Sequence, residues 1–257
     1  MTSARERFWN GFERLAPAPL YYPVSYRRAH RWNAFLFDVM RVLMAPDRHT
    51  IDIGAHRGVF SWFYARHSAG VTAFEAHPGN FRFLRRLAGP RIDCRHLALS
   101  DTSGTLALRV ALRDGRELSE SGSIVGAPAA GDAAAADGSS VYSVECRPLD
   151  SFEFPDTGFI KIDVEGAEPA VVRGARETIA RHRPNLMIEI QANAIGEDAM
   201  RGLIESIRDE GYDCLFFYRR RLVGWEHFDL ARHQTEPFAR GDMLSFANNF
   251  VFLPADR

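Results

Sequence analysis

The stretch TIDIGAHRGVF, residues 50–60, limits the possible folds more than any other part of the chain. Residues 50–53 read as the end of a buried strand, Gly54 and Gly58 punctuate a tight loop, and the apolar run VFSWFYAR from Val59 opens a helix. Strand, glycine loop and helix together make the first βα turn of a nucleotide-binding fold. Glycine there lets backbone approach a ligand, and the helix start offers unpaired N–H groups.

The segments downstream extend that turn into a sheet. VTAFEAHP (71–78) predicts a second strand ending in an acid, residues 79–88 a helix, and residues 91–101 a third strand running into a loop. This βαβαβ order is the plan of a doubly wound parallel sheet. GTLALRV (104–110) alternates as an added strand that VYSVECR (141–147) can pair with. Residues 113–140 are rich in Ala, Gly, Ser and Asp, a composition that buries no core, and they predict a flexible insertion, either a lid or inert. FIKIDVEGAE (159–168) reads as a buried strand with a helix after it to residue 180. NLMIEI (185–190) is a further strand, followed by a helix over about 195–210. Strands in DCLFFY, RLVGW and NNFVFLP close the chain without strong helices between them. The fold class is therefore α/β, a Rossmann-like sheet that is mostly parallel with an antiparallel C-terminal edge and helices on both faces. Ahead of it, residues 4–15 and 30–44 have helical spacing and are joined by the proline-rich APAPLYYP. They form an N-terminal helical extension, residues 1–48, before a main domain of residues 49–257. Its aromatic residues suit packing, although such an extension is also well placed to cover a pocket.

Composition serves mainly to exclude. A hydrophobic content of 46% is ample for a core, and a net charge of -1 gives no reason to expect nucleic acid. The three cysteines, Cys94, Cys146 and Cys214, are widely spaced with no C-x-x-C, which argues against structural zinc and a disulfide framework. No run approaches the roughly 18 apolar residues of a membrane span, and the N-terminal residues mix charges with apolar side chains, unlike a signal peptide. A cytoplasmic protein with no membrane span is the expectation. Among 32 basic residues Lys161 is the only lysine.

Two groups of residues carry the chemistry. The first is Asp52, Gly54, Gly58 and Glu75. Glu75 closes the second strand, where an acid accepts hydrogen bonds from a ribose diol. The loop spacing is G-x-H-x-G rather than G-x-G-x-x-G, and Asp52 stands next but one before Gly54. A carboxylate there repels a pyrophosphate but suits a cationic ligand end, which points to S-adenosylmethionine over a dinucleotide. The second group is Lys161, Asp163, Glu165 and Glu168. Strand alternation puts Lys161 and Asp163 on one face, with Asp163 near the carboxyl end where open α/β sheets bind ligands. Glu189 ends the next strand. Asp163 and Glu189 can share a hydrogen-bond network, bind substrate or hold Mg²⁺, but two carboxylates alone are weak evidence for a metal and no metal ligand is assigned. His56 and His77 flank the loops.

TIDIGAHRGVFS, VTAFEAHP, ALSD, LDSF, FIKIDVEGAE and NLMIEI occur in the order and wording of the FkbM family of S-adenosylmethionine-dependent methyltransferases, which the chain resembles over about residues 48–192. The resemblance implies a class I methyltransferase sheet, S-adenosylmethionine as cofactor, and methylation of a hydroxyl on a sugar, polyketide or other small-molecule acceptor. Carried over by position, it implies that Asp52, Gly54, Ala55, His56, Gly58, Glu75, Ala76, Ser100 and Asp163 hold the cofactor, and that Asp163, Lys161 and Glu165 serve catalysis. His56 with Arg57 stands where the family often has an Asn and a small or apolar residue, and Ala76 where a proline is common. The rivals are a non-catalytic binding protein of the same fold and an NAD-dependent reductase or epimerase. The short-chain form of the latter fails because Thr157 stands where its Y-x-x-x-K tyrosine would be. A P-loop is excluded by the absence of G-K.

Overall fold

The computed structural model describes residues 12, 15–113, 116–124 and 139–255. Among them, strands β1 (His49–Ile53), β2 (Val71–Glu75), β3 (Ile92–His96), β4 (Ala98–Leu99), β5 (Gly104–Arg113), β6 (Arg116–Ile124), β7 (Ser139–Arg147), β8 (Thr157–Ile162), β9 (Asn185–Glu189), β10 (Tyr212–Tyr218), β11 (Arg221–Gly224) and β12 (Asn249–Pro254) form two sheets. The large sheet has the order β11-β10-β12-β9-β8-β1-β2-β3. Its β9, β8, β1, β2 and β3 run parallel, while β12, β10 and β11 pair antiparallel at one edge. This is the predicted sheet with its antiparallel edge. The small sheet has the order β4-β7-β5-β6.

Helices α1 (Ala18–Leu43), α2 (Val59–Tyr64), α3 (Pro78–Leu87), α4 (Glu168–Arg173), α5 (Arg176–His182), α6 (Ala192–Ile195), α7 (Glu197–Arg208) and α8 (Glu236–Arg240) cover the large sheet. Strand alternation divides the core into two layers. On one face Ile51, Ile53, Ile160, Ile162 and Ile188 pack with Val171, Ile179, Met200 and Ile204 from α4, α5 and α7. On the other, Ala73, Phe159 and Met187 pack with Phe63 and Tyr64 of α2 and with Phe37, Met40 and Leu43 of α1. The N-terminal extension thus supplies core residues to the sheet.

Three local details differ from the sequence reading. The extension breaks at Ala16 and Pro17 within APAPLYYP, as the sequence predicts, but the helix resumes at once at Ala18, across residues that read as a link, and breaks again at Asn33 (φ -145°, ψ 57°). Proline is tolerated in a helical first turn, where its missing N–H would have no partner, so the helix starts at Ala18 ahead of Pro19. Asn33 breaks it because its Oδ1 accepts from the Leu36 N–H at 3.3 Å and so caps a new segment. Residues 116–124, taken as part of a flexible insertion, form strand β6 against β5. Ladder hydrogen bonds, which no composition argument registers, stabilise that hairpin; residues 125–138 lie outside the described part. Finally, β10–β12 are interrupted by a helical stretch at Ala231–Thr235 that runs into α8. No helix among the described residues is long and apolar enough to cross a membrane.

Candidate active site

The parallel strands end along one edge, and a cavity of about 600 Å³ opens there, within the range of small-molecule sites. Its walls include Gly54, Ala55 and His56 after β1, Glu75 and Ala76 at the end of β2, Asp163 and Glu165 after β8, and Glu189 at the end of β9. Of the residues predicted for the site, these eight converge. Asp52, Gly58, Lys161 and Ser100 do not line the cavity.

Each outlier has a structural occupation. Asp52 is fully buried one layer below, where its Oδ2 accepts from Ser61 Oγ at 2.5 Å. In the β1–β8 register it lies beside Lys161. Lys161 is 4% exposed, and its ammonium donates to Asp163 Oδ2 at 2.7 Å and sits 5.2 Å from the centre of the Phe60 ring. Burial by itself lowers the pKa of this lysine, but the carboxylates Asp163 and Asp52 outweigh it and hold it above the ordinary value. Burial raises the pKa of Asp52, against the pull of Lys161 and Ser61. Ser100 packs where a Cβ on Gly174 would meet its carbonyl oxygen at 2.0 Å.

The glycines also meet packing constraints that hold apart from any ligand. Gly54 has φ +80°, and a Cβ there would lie 1.8 Å from the backbone oxygen of Asp163. The contact of the β1 loop with the end of β8 therefore excludes a side chain at Gly54, whose backbone also borders the cavity. A Cβ on Gly58 would run into Leu84 and the Tyr22 hydroxyl.

Glu75 is held by the loops on both sides of it. The backbone N–H of His56 donates to its Oε2 at 2.6 Å and that of His77 to its Oε1 at 2.8 Å. Burial dominates these bonds and raises its pKa to about 7. His56, at φ 51°, is pushed down to about 4 by burial and then by the Arg57 charge, so its ring is neutral near pH 7. His77 caps α3: its Nδ1 accepts from the Asn80 N–H at 3.1 Å, which leaves the proton on Nε2, 3.1 Å from Glu117 Oε2. Tyr142 donates to the other oxygen of Glu117. The small sheet is in this way tied to the end of β2.

Across the cavity, Glu189 Oε1 accepts from Gln191 Nε2 and Asn248 Nδ2, both at 2.8 Å. Burial, then the Asp163 charge, raises its pKa to about 7. Glu165 has φ 54°, and Gly166 beside it φ 103°. Glu168, grouped with the acids by sequence, is buried and accepts from the Gly166 N–H, so it shapes the loop from within. Among the described residues no three His, Cys, Asp or Glu side chains are gathered so as to hold a metal ion.

One wall comes from the N-terminal extension, which the sequence places as a cover for a pocket without indicating which residues reach it. Tyr21, Ser25, Arg28 and Ala29 of α1 line the cavity together with Phe60 and Val59 of α2. Their i, i+4, i+7, i+8 spacing is that of one helical face, in a stretch that the sequence reading left between its two predicted helices.

The Methyltransferase FkbM domain family matches residues 52–214. No curated protein matches the chain. Among solved structures, methyltransferase FkbM from Methylobacillus flagellatus is 18% identical with a TM-score of 0.49, over 81% of this chain and 44% of that one. This chain thus spans less than half the length of that relative. An rRNA methylase from Streptococcus thermophilus is 10% identical with a TM-score of 0.44, over 84% of this chain and 90% of that one. A TehB-like SAM-dependent methyltransferase from Corynebacterium glutamicum is 10% identical with a TM-score of 0.43, over 90% of this chain and 96% of that one.

Proposed function

The chain belongs to the FkbM family of methyltransferases, and from that premise we propose that it methylates a hydroxyl oxygen of a small molecule, such as a sugar or a polyketide, at the expense of S-adenosylmethionine. The observation that carries this reading is the arrangement of one cavity with Glu75 on one side and Asp163, Glu165 and Glu189 on the other.

The residues present suit that cofactor. A volume of about 600 Å³ accommodates a nucleoside with an amino-acid end and leaves room for an acceptor. A carboxylate at the end of β2 has the chemistry to accept from a ribose diol. The three carboxylates opposite favour a positive sulfur over a phosphate. When bound, the cofactor would supply a methyl group on a sulfonium, the bond from the acceptor oxygen to the methyl carbon forming in line as the carbon–sulfur bond breaks and S-adenosylhomocysteine leaves.

The roles of this chain's residues follow from their positions. Glu75 holds the ribose, and the backbone of Gly54, Ala55 and His56 borders the amino-acid end. Asp163 orients the acceptor hydroxyl and takes its proton, with Glu165 and Glu189 at its sides. Lys161 keeps its own proton because two carboxylates raise its pKa against burial. It therefore positions Asp163 and is not itself the base. Ala76 borders the adenine end.

Calorimetric titration with S-adenosylhomocysteine tests the cofactor, and saturable binding is expected. A folded chain that ignores it and binds NADH would be a reductase instead. Release of S-adenosylhomocysteine across a panel of sugars and polyketides then tests the acceptor class. Turnover confined to amine acceptors would overturn the hydroxyl assignment.

A further inference from the structure

The hairpin that joins β10 to β11 turns on Arg219 and Arg220, between the paired residues Tyr218 and Arg221. Both turn residues have positive φ, 48° and 59°. Two-residue hairpin turns of that kind favour Asn-Gly, because most side chains at positive φ crowd their own backbone. Here the turn carries two arginines with a third after it, and all three are exposed. Strain of this sort persists where the residues serve something besides the fold.

The tip is tied to an apolar segment. The Arg219 N–H donates to the Leu244 carbonyl oxygen and the Arg219 Nε to Ser245 Oγ, both at 3.0 Å. The segment held in this way exposes Met243 at 65% and Leu244 at 60%, and Phe238, in the turn closed by the Gly241 N–H, at 53%. Arg219 and Arg232 lie 5.2 and 5.8 Å from the centre of the Tyr218 ring. Among the described residues none of Arg219, Arg220, Arg221 and Arg232 is in a salt bridge. The acids nearby are used locally. Asp242 accepts from the Ser245 N–H and feels the Arg219 charge, Asp229 accepts from the Arg232 N–H, and Glu236 pairs with Arg240.

Strand β12 is antiparallel to both β10 and β9, so β10 ends on the edge where β9 ends. The arginine tip therefore lies on the edge where the cavity opens, and the apolar segment runs on to Asn248, whose amide holds Glu189. Two strand spacings, roughly 10 Å, separate the ends of β10 and β9.

Unpaired guanidinium groups beside exposed apolar side chains match the two attractions of an anionic bilayer. Headgroup phosphates draw the arginines, the acyl boundary takes Phe238, Met243 and Leu244, and the arginine stems lie along it. Pairing of two copies through this patch would bring like charges together. Lipid, unlike a folded partner, needs no matching shape. We infer that the tip at residues 219–221 and the segment 238–244 form a docking surface for an anionic lipid bilayer, which sets the mouth of the cavity beside the headgroups. Such docking needs neither cofactor nor acceptor, so it stands or falls apart from the methylation reading.

Flotation of the full chain is measured with vesicles of phosphatidylcholine alone and of equal parts phosphatidylcholine and phosphatidylglycerol. Binding to the anionic vesicles only, weakened by added salt, is expected. Arg220→Gly with Arg221→Gln removes two charges while its glycine suits the turn, so binding should weaken about tenfold or more while the urea midpoint holds or rises. Met243→Ser with Leu244→Ser should weaken binding about tenfold. Arg27→Glu with Arg31→Glu, at exposed arginines of α1, should change it by less than about twofold. Circular dichroism confirms that each variant is folded; should the serine variant not fold, the arginine variant decides. No binding by the folded full chain, equal binding to both kinds of vesicle, or an equal loss from the α1 variant would overturn the surface. So would a concentration-dependent dimer in sedimentation that the arginine variant breaks and vesicles do not displace, which would make a second copy the occupant.

Discussion

Asp52 and Asp163 flank the same ammonium from neighbouring strands, yet one lies in the floor beneath the cavity, out of its lining, and the other in its wall. Asp52 is 0% exposed, beside Lys161 and bonded to Ser61. The Asp163 side chain keeps 26% of its surface and borders the cavity. The difference lies in depth along the strand. Asp52 is inside β1, covered by α2, whereas Asp163 follows the last residue of β8. A carboxylate inside the sheet fixes structure, and one just beyond it remains available to a ligand.

The comparison breaks most forcefully at Lys161, which both regions share. Lys161→Met leaves Asp52 and Asp163 without their cation, and a loss of about 3–5 kcal/mol in urea unfolding is expected. A near-neutral result would show that floor and wall do not depend on each other.

On the wall, Glu75 gives a pH signature. Its folded pKa is raised from 4.5 to about 7. Between those values the folded chain retains a proton that the unfolded chain has released, so stability falls as pH rises through the window and levels off above it. Glu75→Gln is expected to remove on the order of 3 kcal/mol from that slope. Glu189, with the same ordinary and raised values, contributes a second share of it. Urea midpoints recorded from pH 4 to 8 check the sign, and a slope that survives both substitutions to Gln would contradict it.

Asp163→Asn separates the two aspartates functionally. Methyl transfer to an accepted hydroxyl should drop about 10²-fold or more, with S-adenosylhomocysteine affinity little changed. Full turnover with intact affinity would remove Asp163 from the proton-transfer role.

The smallest effect is on the floor. Among the described residues Asp52 Oδ1 has no hydrogen-bond partner, so Ser61 is the single hydroxyl bonded to that carboxylate. Ser61→Ala should cost about 1–2 kcal/mol of stability without altering affinity for S-adenosylhomocysteine. A loss of affinity with stability intact would move Asp52 from the floor to the wall.

Much of this was legible in the residues. The alternation of TIDI and FIKID, the acid closing VTAFE and the turn at Gly54 predicted a parallel sheet with acids at its carboxyl edge. Helical spacing predicted a helix around residues 30–44. The break at Ala16 and Pro17 was legible, but the link was drawn too long because prolines read as breakers, whereas Pro19 sits in a first turn that needs no N–H. Strand β6 escaped because a sequence poor in apolar residues can still satisfy a ladder of backbone hydrogen bonds.

By itself the sequence determined the order of strands and helices, the family, and which acids stand near strand ends, because these depend on neighbours a few residues apart. The tertiary structure decided which of them reach the cavity. That depends on the β1–β8 register that sets Asp52 beside Lys161, on the cover that α2 lays over the floor, and on the face of α1 that brings Arg28 to the wall. The first of these joins residues 161 - 52 = 109 positions apart, and the effect of all three on charge comes from burial, which no local pattern encodes.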